Sequence, residues 1–142
     1  MKNIYVLLDT NVLLDEITRR EPFYDNAANI ISLAKLGRFT ALVSASAITD
    51  MYYIACKELK DKTLVMSRLK ALLKTVEIAA VTGVEIHRAI NLDWTDFEDC
   101  VQYTAGKNLA VSYIITRDPD GFAASEIPVV RPEKFLDMIT ID

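Results

Sequence analysis

The chain has 142 residues, of which 51% are hydrophobic, and its net charge is −4 because 20 acidic residues outnumber 16 lysines and arginines. This balance argues against a non-specific nucleic-acid binder, which is normally basic, and no apolar run approaches the roughly 18–20 residues that span a bilayer. Asp9 also interrupts the first apolar stretch too early for a signal peptide. We therefore expect a soluble cytoplasmic protein with a single domain over residues 1–142.

Short apolar runs alternate with helical patterns along the whole chain. Strands are predicted at residues 4–8, 40–43, 76–81, 111–116 and 127–130. Helices are predicted at residues 25–36, 46–57, 62–74, 82–91 and 95–107, and Pro132 marks the start of a last one. Strands that alternate with helices indicate an α/β sandwich with a mostly parallel sheet.

Capping residues mark several of these helix starts. Asp25 and Ser46 are the predicted N-caps of the first two helices. Residues 82–85 and 95–98 both match the capping box, in which a threonine and a later glutamate satisfy each other's backbone amides. The second of these boxes would explain Glu98 without any catalytic role.

Aspartates lie close to the carboxyl ends of several predicted strands. Asp9 directly follows the first strand, Asp118 follows the fourth, and Asp50 lies near the start of the helix after the second. Asp96 and Asp99 are three residues apart on the helix before the fourth strand, so they share a face. Sites in open α/β sheets form at the carboxyl ends of strands, and we expect these acids to meet there.

Such a group of acids indicates a bound cation. Like charges a few ångströms apart repel each other, and without a cation some of them would have to be protonated. Mg²⁺ and Mn²⁺ prefer carboxylate and water oxygens as ligands. The only histidine, His87, falls in the middle of a helix on a different element, which argues against zinc.

Each acid also has an explanation that needs no metal. Asp9 could cap the short helical segment that follows it, and Asp96 could interact favourably with the dipole of its helix. Asp118 could begin a turn with the residues after it. Asp99 lies just past the first turn of its helix and has no comparably simple explanation.

Basic residues crowd one stretch of the chain, namely Lys57, Lys60, Lys62, Arg68, Lys70 and Lys74. Only Glu58 and Asp61 lie among them as acids. The stretch is either a pair of solvated helix faces or a surface that steers phosphates toward a neighbouring acidic site.

The ordered set of motifs resembles the PIN domain family over essentially the whole chain. It consists of Leu-Leu-Asp-Thr-Asn at residues 7–11, an acid in the helix after the second strand, Asp-Phe-Glu-Asp-Cys-Val-Gln at residues 96–102, and Ile-Ile-Thr-Arg-Asp at residues 114–118. The pattern is most similar to the bacterial toxin-type branch, the VapC-like ribonucleases. The resemblance implies a three-layer α/β/α sandwich with about five strands, and a ribonuclease that depends on Mg²⁺ or Mn²⁺.

The resemblance also assigns roles to single residues. The four family acids fall on Asp9, Asp50, Asp99 and Asp118. The implied metal ligands are Asp9, Asp99 and Asp118, with Asp96 as an auxiliary ligand. Asp50 stands where glutamate is common, so a water could intervene between it and the metal. Polar positions that support the acids match Asn11, Thr116 and Ser44, and Arg117 is either a contact to the scissile phosphate or an ordinary surface arginine.

Partners follow from the same resemblance. Toxin-type relatives act on RNA, are usually held inactive by a small antitoxin protein and are often dimeric, and Met51, Tyr52 and Tyr53 are candidate contact residues. Two other functions stay open. One is a PIN-fold module that binds RNA or protein without activity, and the other is a phosphotransfer domain that uses Asp9 as its nucleophile.

Overall fold

A computed structural model describes residues 3–140, in which five strands form one fully parallel sheet. The strands are β1 (Tyr5–Leu8), β2 (Thr40–Ser44), β3 (Glu77–Ala79), β4 (Tyr113–Ile115) and β5 (Val129–Val130). Their order across the sheet is β3-β2-β1-β4-β5, so β1 is the central strand. The predicted parallel sheet of about five strands is confirmed, although the last three strands are shorter than their apolar runs.

Seven helices lie within the same described residues. They are α1 (Thr10–Thr18), α2 (Tyr24–Lys35), α3 (Ala45–Leu59), α4 (Lys62–Leu72), α5 (Gly83–Leu92), α6 (Phe97–Asn108) and α7 (Pro132–Thr140). A short 3₁₀ turn, Pro119–Phe122, follows β4. None of the helices in residues 3–140 is both long and apolar enough to cross a membrane.

Side chains of the central strand alternate between two buried layers. Val6 and Leu8 pack with residues of α1, α2, α3, α4 and α7, whereas Leu7 packs with Tyr103 of α6 on the opposite face. Such alternation follows from the two-residue repeat of a strand. On this second face α6 packs on β2, and α5 packs on α6. Helices therefore cover both faces of the sheet, and the predicted three-layer α/β/α sandwich is confirmed.

Two predicted helix starts are wrong by a residue or two. Ser44, rather than Ser46, is the N-cap of α3, because β2 runs directly into the helix and the Ser44 hydroxyl accepts a hydrogen bond from the Ser46 amide at 3.3 Å. Asp25 lies in the first turn of α2, whose N-cap is Phe23. Met51 of α3 is fully buried, so it belongs to the core rather than to a contact surface.

Of the two predicted capping boxes, only the first is present. The Glu85 carboxylate accepts a hydrogen bond from the Thr82 amide at 2.6 Å, and the Thr82 hydroxyl accepts one from the amide of Val84. In the second, Asp96 takes over as the N-cap, because its own carboxylate accepts the Asp99 amide at 3.0 Å. Glu98 is therefore left without a capping role.

Candidate active site

Asp9 lies at the carboxyl end of the central strand and is only 6% exposed. One of its carboxylate oxygens accepts the Thr10 amide at 2.7 Å and caps α1, while the other accepts the Thr116 hydroxyl at 2.7 Å. Burial raises the pKa of Asp9, and the contacts with Thr116 and Gln102 oppose that rise. The helix-cap explanation is thus correct but incomplete. Each oxygen keeps a lone pair that a cation could use.

Asp99 lies close enough to the other acids of the site to be affected by their charges. Burial raises its pKa first, and the charges of Asp9, Asp96, Asp118 and Glu98 then raise it further, to about 7. These groups come from the ends of β1 and β4 and from the first turn of α6. The structure therefore brings together the carboxylates that the strand-end rule predicted.

Asp50 joins this group through Glu98. The pKa of Glu98 is raised, and the largest cause is a side-chain hydrogen bond with Asp50, followed by burial and by repulsion from Asp50. Two carboxyl groups in such contact share a proton more readily than they both ionise. Because the second capping box is absent, Glu98 becomes a member of the acidic site that its sequence pattern had concealed.

Thr116 is fully buried and connects the two strand ends. Its hydroxyl donates to Asp9, accepts from the Asn11 side-chain amide at 3.2 Å, and accepts from the Asp118 backbone amide at 3.0 Å. Asn11 in turn accepts from the Arg117 amide at 3.2 Å. Both polar residues therefore hold the segment of Asp118 against Asp9.

Ser44 has a different role from the one expected of it. Its hydroxyl lies 2.6 Å from that of Ser46 and caps α3. Among the hydrogen bonds of residues 3–140, Ser44 makes none to the acids. It fixes the start of the helix that carries Asp50, so its support for the site is indirect.

Gln102 was not predicted from the sequence. It is buried on α6, contacts Asp9, and its side-chain oxygen has no hydrogen-bond partner within the described part of the chain. A buried acceptor without a partner costs free energy unless a water or an ion satisfies it. Its position three residues after Asp99 was the only available signal, because residues at that spacing share a helix face.

Asp15 was also missed, and it explains Arg117. The Arg117 guanidinium donates to both oxygens of Asp15, at 2.6 and 3.2 Å, and lies 3.9 Å above the ring of Phe23. Asp15 is 1% exposed, and Arg20 approaches its carboxylate to 3.6 Å. Arg117 is therefore held in a largely buried ion pair rather than free on the surface or directed at a substrate.

Gly121 has no side chain, and the Asp99 carboxylate occupies the space that a side chain at position 121 would need. A Cβ atom at position 121 would lie 2.0 Å from a carboxylate oxygen of Asp99, far inside van der Waals contact. Any larger residue here would displace the Asp99 side chain. The 3₁₀ turn after β4 thus shapes the acidic site from the side opposite to α6.

The donor groups fit a divalent cation by type. All of the acids offer oxygen, burial and then mutual repulsion raise the pKa of Asp99, and the unpartnered oxygen belongs to Gln102, which contacts Asp9. No three Asp, Glu, His or Cys side chains of residues 3–140, however, are already arranged closely enough to hold one ion. Side-chain rotations would be needed to bring three carboxylates onto the same ion.

Comparison with known proteins agrees with this architecture. A family model described as PIN domain matches residues 5–120. The chain therefore belongs to the PIN domain family. The resemblance inferred from the motifs is confirmed.

Individual relatives point to the VapC-like branch of that family. The chain is 28% identical to Ribonuclease VapC1 of Aquifex aeolicus in an alignment of 142 positions that covers 96% of each chain. VapBC2 of Rickettsia felis, solved with a DNA fragment from its promoter, matches 90% of this chain and 98% of its own at a TM-score of 0.68 and 15% identity. VapC20 of Mycobacterium tuberculosis, described as a toxin that cleaves the sarcin-ricin loop, matches 84% and 94% at a TM-score of 0.68 and 12% identity. At these identities the two solved structures support the fold.

Proposed function

We propose that the chain is a divalent-metal-dependent ribonuclease that hydrolyses RNA phosphodiester bonds and acts as the toxin of a toxin–antitoxin pair. The observation that carries this proposal is the position of Asp99, which is half-buried beside Asp9, Asp96, Asp118 and Glu98; burial first, and then the charges of these four carboxylates, raise its pKa to about 7. A cation at this point would relieve their repulsion. The likeness to a protein named as a ribonuclease over 96% of both chains supports the reaction class. The active unit would be one PIN-like domain over residues 1–142.

In this proposal the acids have different roles at the metal. Asp9 and Asp99 are the principal metal ligands, Asp118 is a third, and Asp96 is an auxiliary one. Bound Mg²⁺ or Mn²⁺ supplies Lewis acidity, which lowers the pKa of water and neutralises charge on phosphate oxygens. Asp50 would orient water beside the phosphate through its contact with Glu98.

The chain's own residues keep these ligands in place. Thr116 fixes one oxygen of Asp9, and the amide of Thr10 fixes the other, so the carboxylate cannot rotate freely. Arg117 is committed to Asp15 and is not available to the phosphate, which leaves the cation as the source of positive charge at the acids. This arrangement also argues against phosphotransfer, because Asp9 is only 6% exposed and the charge that acts on it is that of another carboxylate, Asp96.

The test is RNA cleavage by the purified chain with and without a divalent metal. Cleavage with MnCl₂ that is lost on addition of EDTA, and restored by excess MnCl₂, is the expected result. Absence of cleavage on any RNA offered would favour the alternative, a PIN-fold binding module without activity.

Metal binding is expected to depend on pH. Protonated Asp99 is a poor ligand, so protons compete with the cation wherever the pH is below its pKa of about 7. Calorimetric titration with MnCl₂ should show the affinity rising about tenfold for each pH unit below about 7 and levelling off above it. An affinity that stays constant from about pH 5.5 to about pH 8 would rule out Asp99 as a ligand that must lose a proton.

We further propose an antitoxin protein as partner, a homodimer as the assembled form, and the cytoplasm as the compartment. A solved structure from Klebsiella pneumoniae that matches 89% of this chain, at a TM-score of 0.66 and 21% identity, is named a toxin–antitoxin complex, which supports the first of these. Tyr53, Ile54 and Met66 are exposed apolar residues on α3 and α4 that a protein partner could cover.

A further inference from the structure

A groove of about 680 Å³ lies between α3 and α4, away from the acids. Tyr52 of α3 forms part of one wall, and residues of α4 and the turn after it form the other. Its lining includes Lys62, Lys70 and Lys74 and the hydroxyl groups of Thr63 and Ser67, but no aspartate or glutamate. We call this cavity the lysine groove.

Two of the lysines lie on α4 and the third follows it. Lys62 and Lys70 are eight residues apart in the sequence, or about 80° apart around the helix axis, and Lys74 lies in the turn after the helix ends at Leu72. The apolar residues Val65 and Leu69 face the core instead. The apolar residues of α4 therefore pack on the core, and the residues that face outward are free to carry charge.

The charges of the lysine groove are not neutralised by the protein. Within residues 3–140, Lys62, Lys70 and Lys74 form no ion pair, whereas Lys107 pairs with Glu126. Arg68, the other cation of α4, donates to the Ile17 carbonyl at 2.6 Å and is therefore committed elsewhere.

This local charge is opposite to that of the whole chain. In a protein of net charge −4, three unpaired lysines in one groove select for a polyanion. The rise of an α-helix separates Lys62 and Lys70 by about 12 Å, so the two ammonium groups can reach different phosphates of one strand. Tyr52 of α3, whose side chain packs partly against the core, also lines the groove.

We propose that the lysine groove binds the sugar-phosphate backbone of a single-stranded part of the RNA substrate. This site rests on the proposed ribonuclease function and extends it to a second contact with the RNA; Asp50 and Tyr52 lie on the same helix, α3, on different sides of it. The lysines would hold the RNA through charge alone, without reading its sequence. The acids would then act on a phosphate further along the strand.

The test measures RNA binding separately from cleavage. A single-stranded, fluorescently labelled RNA is titrated with the Asp9→Asn chain in EDTA, so that the RNA stays intact and no metal contributes. One variant adds Lys62→Gln, Lys70→Gln and Lys74→Gln. The matched control adds Arg19→Gln, Lys35→Gln and Lys134→Gln, three exposed basic residues outside the groove and outside the basic stretch of residues 57–74, and it changes the net charge equally.

The proposal is tested by the dependence of the RNA-binding constant on salt concentration. Each lost phosphate contact lowers the slope of log K against log salt by about 0.7 for single strands, so the groove variant should lose about 2 from the slope. The control variant should keep the slope of its parent. Equal slopes in the two variants would overturn the proposal, because net charge alone would then account for binding.

Two further outcomes separate the possible failures. If poly-glutamate binds the groove more tightly than the RNA does, the groove serves an acidic protein segment and the RNA assignment is wrong. If the groove variant loses RNA binding while the wild-type chain cleaves no RNA, the groove assignment stands and the ribonuclease assignment fails.

Discussion

Asp99→Asn is expected to reduce RNA cleavage by more than about a hundredfold, because even the loss of a residue that only supports a metal ligand costs about 10- to 100-fold. The same change should not weaken the fold. Ionised Asp99 is surrounded by four carboxylates in the metal-free chain, and a neutral asparagine removes that repulsion. Activity and stability should therefore move in opposite directions.

The sign of the stability change depends on pH. The folded chain holds the Asp99 proton up to about pH 7, whereas the ordinary pKa of the group is 3.8. The stability associated with this proton is present below the ordinary pKa and is lost as the pH rises through about 7. In EDTA above pH 7, thermal melting of Asp99→Asn should thus occur at or above the temperature of the wild-type chain.

Asp93→Asn is the matched control for this prediction. Asp93 is an exposed acid just before α6 and has a φ of 53°, a left-handed conformation that asparagine also adopts readily. Cleavage by this variant should stay within about twofold of wild type, since Asp93 is not among the charged groups that raise the pKa of Asp99 and an exposed substitution of this kind has little effect. If Asp99→Asn cleaves RNA as well as Asp93→Asn does, Asp99 is not a ligand of the catalytic metal.

Asp15→Ala is expected to lower the free energy of unfolding by about 3–5 kcal/mol, which is the usual cost of removing one partner from a buried ion pair. The Asp15 carboxylate is almost completely buried, and the Arg117 guanidinium is only 25% exposed. Without Asp15, the charge of Arg117 would remain partly buried and unpaired. Urea unfolding of the two chains measures the difference.

Glu58→Ala provides the comparison for a surface pair. Arg20 contacts both Asp15 and Glu58, but the Glu58 side chain is 43% exposed. Loss of an exposed partner should cost less than about 1 kcal/mol. If Asp15→Ala and Glu58→Ala destabilise the chain equally, the buried Asp15–Arg117 pair contributes no more to stability than the exposed Arg20–Glu58 pair.

The fold was largely predictable because the strands at the centre of its sheet are mostly buried. Continuous apolar runs such as residues 4–8 and 41–43 are typical of parallel strands between two helical layers. Once the strands are placed, Asp9 and Asp118 must follow neighbouring strand ends, since β1 and β4 are parallel partners. The acidic site therefore follows from order along the chain and from the rule for open sheets.

The contacts around the acids were less predictable, for two physical reasons. Asp15 and Arg117 are 102 residues apart, and the apolar surroundings of Asp15 in the sequence do not reveal a distant cation. The sequence alone does not distinguish Thr95 from Asp96 as the N-cap of α6, and the backbone geometry shows that it is Asp96. Glu98 is therefore not the partner of Thr95 in a capping box, as its sequence pattern predicts. Gln102 is one of several polar residues on α6, and its burial depends on packing.

The most direct measurement is cleavage of one RNA by purified wild-type chain and by Asp9→Asn, each in MnCl₂ and in EDTA. Asp9 is suited to this test because it lies at the centre of the site and both of its oxygens are fixed by hydrogen bonds. If the chain is a metal-dependent ribonuclease that uses these acids, only the wild-type chain should cleave the RNA, and it should do so only in MnCl₂. Cleavage by wild type that persists in EDTA, or equal cleavage by Asp9→Asn in MnCl₂, would contradict it.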